Sequence, residues 1–218
     1  DYRKQIVPYR KIQRRENDLV IATFGRGFYV LDDYSPLRNM KKEDTVEAAL
    51  TYPVKDAWMF EEANPLGSWG GSTKGTMGES YFTTPNPKVG SVFTFWIKDD
   101  LKTLKQKRQA AEAEKIKKGE AVYYPSADSL RTEDKQPKPF YMLTIYDAQG
   151  NAIRRIKTGT SKGLQRATWD FRYTSGSLDA ADDGGSGYKV VPGEYKAGLH
   201  KFEDGVFTEI AKPVSFKA

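Results

Sequence analysis

Three sets of residues in this chain could do chemistry, and each carries its own spacing requirement. Adjacent carboxylates stand at Glu61-Glu62 and Asp182-Asp183. Cleavage of a glycosidic bond needs two carboxyl groups facing one another across a sugar ring, about 5 Å or more apart. Neighbours in chain order fit a solvated surface better than that division of labour. Asp179, Asp182 and Asp183 in the stretch YTSGSLDAADDGGSG could offer hard oxygens to calcium, but their spacing departs from the D-x-[DN]-x-[DN]-G loop. There is no cysteine and one histidine, His200, so thiol nucleophiles, thiolate metal sites and a histidine-rich zinc centre are excluded. No catalytic residue, metal or cofactor is expected.

The second set is glycine-rich. NDLVIATFGRGFYVLDD looks like a phosphate loop between two apolar runs. Such a loop ends in Gly-Lys-Ser/Thr or opens a helix with a third glycine. Here Phe28-Tyr29-Val30 continues as strand. Gly25 and Gly27 are therefore expected to turn a β-hairpin joining Leu19–Phe24 to Phe28–Leu31, since glycine accepts positive φ without steric cost.

The third set is aromatic. Trp69 in GSWGGSTKGTMGES, with Trp58 and Tyr81, could stack against a glycan or a partner, because amphipathic rings join apolar area to a polar handle. The competing reading has Trp69 pinning a long loop against a sheet.

The elements that must position these groups are mostly strands. Ser91, Phe93, Phe95 and Ile97 alternate with Val92, Thr94 and Trp96, which marks a core strand. Tyr141, Leu143 and Ile145 alternate in the same way, Asp147 to Asn151 turns, and Ile153 and Ile156 resume the pattern. Ala167, Trp169 and Phe171 share one side of a further strand, with Trp169 as a core anchor. Asp170 and Arg172 fall on the opposite side, close enough in register to pair near a sheet edge. Pro192-Gly193 forms a turn before EYKAGLH, and the run from Val206 to Val214 closes the sheet. Short strands with polar turns favour two packed antiparallel layers. Between the layers' strands, residues 99–139 read as an inserted, charged helical arm. Asp99 and Asp100 stand ahead of its first helix, Gly119 stops it, and Ser126 caps a second.

Charge supports that division. Of the net +6, the stretch from Lys98 to Lys118 holds eight basic against four acidic residues. The rest of the chain is nearly balanced, so no nucleic-acid face is expected. No apolar run approaches the roughly 20 residues that span a bilayer. The opening residues, DYRKQIVPYRKIQRREN, read as the continuation of something earlier.

Two longer stretches carry a family likeness. RENDLVIATFGRGFYVLDDYSPLR resembles the last blade and exit of the BNR/Asp-box, sortilin-like β-propeller proteins often described as glycosyl hydrolases. FYMLTIYDAQGNAIRRIKTG, KGLQRATWDFR and VPGEYKAGL resemble the immunoglobulin-like domain that follows the propeller in long members from Bacteroidetes. The likeness implies a mainly β fold: an immunoglobulin/fibronectin III-like sandwich over residues 91–218 with the insertion 99–139. It further implies a partial last blade over 1–38, and a linker and glycine-rich loop packing on the sandwich over 39–90. The implied role is a non-catalytic accessory module with the preceding propeller as its partner and a glycan or envelope protein as a further contact. The implied location is extracellular or periplasmic. A carbohydrate-binding module, or part of a hydrolase whose site lies on the propeller, are the alternatives. The Ser-x-Asp-x-Gly-x-x-Trp box itself is absent from the chain.

Overall fold

The computed structural model describes residues 9–25, 27–61, 80, 88–175 and 187–218. The chain divides into two units, Asp1–Glu47 and Ala48–Ala218.

In the first unit, β1 (Tyr9–Gln13), β2 (Asp18–Thr23) and β3 (Gly27–Leu31) form an antiparallel sheet in that order. The expected hairpin is β2–β3, and Gly25 and Gly27 have φ of +76° and +83° at its turn. A third strand, β1, joins it from the polar opening segment. Its charged residues hid it from the apolar pattern. At the exit, the backbone N–H of Asp33 donates to the Asp18 carboxylate at 3.0 Å, and that of Tyr34 to Asn17 O at 2.8 Å. These bonds end the sheet, and α1 (Ser35–Asn39) follows with proline at its start, where no N–H partner is needed.

The second unit is built from antiparallel sheets. β4 (Ala49–Thr51), β5 (Ser91–Ile97) and β8 (Gly163–Trp169) make a three-stranded sheet in that order. β6 (Phe140–Tyr146), β7 (Ala152–Thr158), β9 (Glu194–Glu203) and β10 (Val206–Lys217) make a four-stranded one, ordered β10-β9-β6-β7. Alternation sends Phe93 and Trp169 from one sheet, and Leu143, Ile145, Tyr195, Ala197 and Phe216 from the other, into a single buried cluster. Trp169 is fully buried, with Tyr195, Phe171 and Phe216 around it at ring distances of 5.2, 5.6 and 5.9 Å. Burying a side chain of this size stabilises the fold by roughly 3 kcal/mol. Ala49, Phe95, Ile97, Tyr141 and Leu199 continue the core toward the other end.

Residues 48–61 depart from the linker expectation. A 3-10 turn, Glu43–Thr45, precedes them, and Ala49–Thr51 is a sheet strand. The stretch YPVKDAWMF that follows joins no strand ladder. It crosses between the sheets: the N–H of Tyr52 reaches Thr94 O in β5, and that of Ala57 reaches Lys217 O in β10, both at 3.0 Å. Val54, Ala57 and Met59 pack on the core as it passes.

The arm contains α2 (Leu104–Lys117) and α3 (Ala127–Lys135). Thr103, not Asp99 or Asp100, is the α2 cap: its hydroxyl accepts from Gln106 N and the Gln106 side chain accepts from Thr103 N, a capping box. Asp100 instead accepts from Lys162 N at 2.7 Å. Gly119 stops α2 with φ +74°, and Ser126 caps α3 as expected.

Candidate functional site

Among the described residues, those singled out from sequence do not converge. Trp69 and Tyr81 lie outside the described residues, as do Asp179, Asp182 and Asp183. Trp58 stands on the outward side of the crossing segment with 80% of its surface exposed. Trp169 is a core residue whose indole N–H donates to Arg172 O at 2.9 Å, which makes it an anchor for the corner after β8. Asp170 and Arg172 do not pair. Arg172 donates to Gly187 O at 2.8 Å, and Asp170 Oδ1 is buried with no hydrogen-bond partner among the described residues. The reason is backbone geometry: Phe171 between them takes φ +59°, so the period-2 alternation that would put both on one face breaks there. Gly193 holds its turn by exchanging two backbone bonds with Ala218, at 2.9 and 3.1 Å, and exposed Pro192 precedes it.

Ionisable groups are taken up in ties between elements. Arg108 on α2 donates to both oxygens of Glu133 on α3, at 2.6 and 3.0 Å, and to Glu112 at 2.8 Å. The Arg108 bond holds the Glu133 carboxyl below its ordinary range, and Glu133 and Glu112 together raise the basicity of the guanidinium. Glu203 at the end of β9 bridges Lys201 (2.9 Å) and Lys107 of α2 (3.2 Å), which lowers its pKa. Glu61, named above as one half of a carboxylate pair, is occupied by Lys189, whose hydrogen bond lowers its pKa. Tyr141 lies at the arm's root. Burial first, then the charge of Asp99, pushes its phenol up to about 12. Among the described residues, no three His, Asp or Glu side chains group to hold a metal.

The face that the sequence reading missed is the outer side of the four-stranded sheet. Because Leu143, Ile145, Ala197 and Leu199 point inward, the alternate residues Phe140, Met142, Thr144 and Tyr146 on β6, and Lys196, Gly198, His200 and Phe202 on β9, point out. Phe202 pairs with Phe140 on one side and Phe207 on the other. Ring centroids lie 4.9 Å apart for Phe140–Phe202 and 4.7 Å for Phe202–Phe207, and Lys157 Nζ sits 4.6 Å over the Phe140 ring. Phe207 remains 53% exposed. Further along, Thr144 Oγ1 and Tyr146 Oη each lie 3.3 Å from a different ring nitrogen of His200. The only histidine of the chain is thus held between two hydroxyls. The signal for the aromatic row was present in sequence as two phenylalanines flanking an Asp-Gly turn, Phe202 and Phe207, but which face they take depends on register.

No helix among the described residues is long and apolar enough to cross a membrane. Comparison of the chain with family models, with curated proteins and with solved structures returns no match.

Proposed function

We propose that this chain is a non-catalytic accessory module: an immunoglobulin/fibronectin III-like β-sandwich on the C-terminal side of a β-propeller, which it stabilises or orients while mediating protein contacts. One observation carries the reading. The β2-β3 hairpin is apolar on both faces. Its register sets Val20, Ala22, Phe28 and Val30 on one face, and Leu19, Ile21, Tyr29 and Leu31 on the other, while β1 adds Arg10 and Lys11 beside Tyr9 and Ile12. Phe28 is 80% exposed and Tyr29 54%. A hairpin that is apolar on both sides needs a layer on each, which is the situation of a propeller blade between neighbours.

The sandwich assignment rests on strand order and a corner. The first, second and fifth strands of the second unit share one sheet, and the third, fourth, sixth and seventh share the other, a division suited to a fibronectin III-like sandwich. Tyr195, at the start of the sixth strand, donates its hydroxyl to Val191 O, as a tyrosine corner does. The test is amide exchange on this chain alone and on a longer chain bearing the propeller. Residues 18–31 gain protection only in the longer chain, and deletion of residues 48–218 from it lowers the propeller's Tm by several degrees. Equal protection in both, or an unchanged Tm, would count against the proposal.

A carbohydrate-binding role is the second reading, favoured by the exposed indole of Trp58, with Trp69 and Tyr81 as its expected partners. Glycan-array binding abolished by Trp58→Ala would support it. A glycoside hydrolase site, if the whole protein has one, belongs on the propeller under this proposal.

A further inference from the structure

The outer face of the four-stranded sheet has two ends. At one, Phe140, Phe202 and Phe207 form a continuous aromatic row across β6, β9 and β10, with Phe207 53% exposed. At the other, the polar groups engage one another: the hydroxyls of Thr144 and Tyr146 are turned to His200. Cations flank the row. Lys157 stands over Phe140, Arg155 lies opposite Thr144, and Lys196 lies opposite Tyr146. Glu209, opposite His200, and Glu194, opposite Lys217 and 3.7 Å from its Nζ, are the acidic side chains that the register sets on this face, against Arg155, Lys157, Lys196 and Lys217. Among the described residues, neither Lys157 nor Lys196 has a carboxylate within salt-bridge distance.

We propose that this face docks a protein segment that presents carboxylates beside apolar side chains. The charge asymmetry selects an acidic partner, and the phenylalanine row supplies the apolar area that such a contact needs at its centre. A carboxylate that reaches Lys157 brings its neighbouring side chain over Phe140 and Phe202, because the ammonium already sits 4.6 Å above the first ring. A glycan is the poorer fit: the rings are phenylalanines with no polar tip, and the nearby hydroxyls are committed to His200.

The experiment titrates the 218-residue chain with an acetylated octapeptide alternating Glu and Leu and follows backbone amide shifts by NMR. Saturable binding is expected, with shifts centred on β6, β9 and β10. Lys157→Gln weakens it by roughly 3- to 10-fold, as loss of one interfacial charge contact of about 1 kcal/mol does. Phe207→Ser weakens it further, with thermal melts confirming that the variant folds. Lys115→Gln with Lys117→Gln on the arm leaves it unchanged. No binding, equal binding of the octapeptide with Lys in place of Glu, or shifts confined to the arm would overturn the proposal. A neutral oligosaccharide that perturbs the same amides where the peptide does not would also overturn it.

Discussion

The phenol of Tyr195 donates to the carbonyl of Val191, four residues upstream, so the chain is stapled to itself just where it enters β9. The same ring is buried against Trp169, so the bond joins the last connection between the sheets to the centre of the core. Tyr195→Phe keeps the packing and removes the bond. Val191 is itself 72% exposed, so water can replace the lost donor. The expected loss is about 1 kcal/mol, read as a shift of the urea midpoint without a change in slope. An unchanged midpoint would show that the corner does not contribute.

Trp169→Ala should be far more damaging. The indole is fully buried and touches three aromatic rings, so a cavity and an unpaired Arg172 carbonyl are left together. A cost of about 3–5 kcal/mol is expected, a large share of the roughly 5–15 kcal/mol typical of a domain, read as a marked fall in the urea midpoint.

Gly90 is fixed by close approach and not by a turn alone. Its φ is +142°, and a β-carbon there would meet Trp169 O at 2.0 Å. Gly90→Ala forces β5 and β8 apart at the point where Ser91 pairs with Trp169. Overpacking of this kind costs about 1–3 kcal/mol, and thermal unfolding of the variant should show it. A wild-type Tm would refute the close approach.

The arm should melt separately in acid. Glu133 has its pKa lowered by Arg108 from an ordinary 4.5, so the folded arm binds fewer protons than the unfolded one near that pH. The tie is fully present above pH 4.5 and is lost as the pH falls through the lowered folded value. Protection factors across α2 and α3, corrected for the intrinsic exchange rate at each pH, should therefore fall below pH 4.5 while those of β5, β6 and β9 hold. Arg108→Met should produce the same pattern at neutral pH.

At the alkaline end, Tyr141 gives the opposite sign. Its folded pKa is raised to about 12 from 10.0, so the folded state holds its proton longer than the unfolded state does. Stability from this group is complete below pH 10 and declines as the pH rises toward 12. Ultraviolet titration should show a late phenol that disappears in Tyr141→Phe.

Period-2 alternation made the main strands legible: Phe93, Phe95 and Ile97, then Tyr141, Leu143 and Ile145, then Trp169, all point where their spacing said they would. Caps and stops were legible too, at Ser126 and Gly119, because they depend on contacts within a few residues. Thr103 took the cap from Asp99 and Asp100 because its hydroxyl could join a reciprocal pair with Gln106, a local contest that composition does not resolve.

The sequence by itself thus determined the main core strands, which arm is charged, and that no thiol or histidine cluster is available for catalysis. Only the tertiary structure decided what those strands share. It turned Phe171 to positive φ and so separated Asp170 from Arg172, and it set Phe140, Phe202 and Phe207 side by side on three strands. Alternation says that a side chain faces one side or the other. Which rows line up across neighbouring strands is set by register, and register is fixed by contacts between residues as far apart in the chain as Phe140 and Phe202.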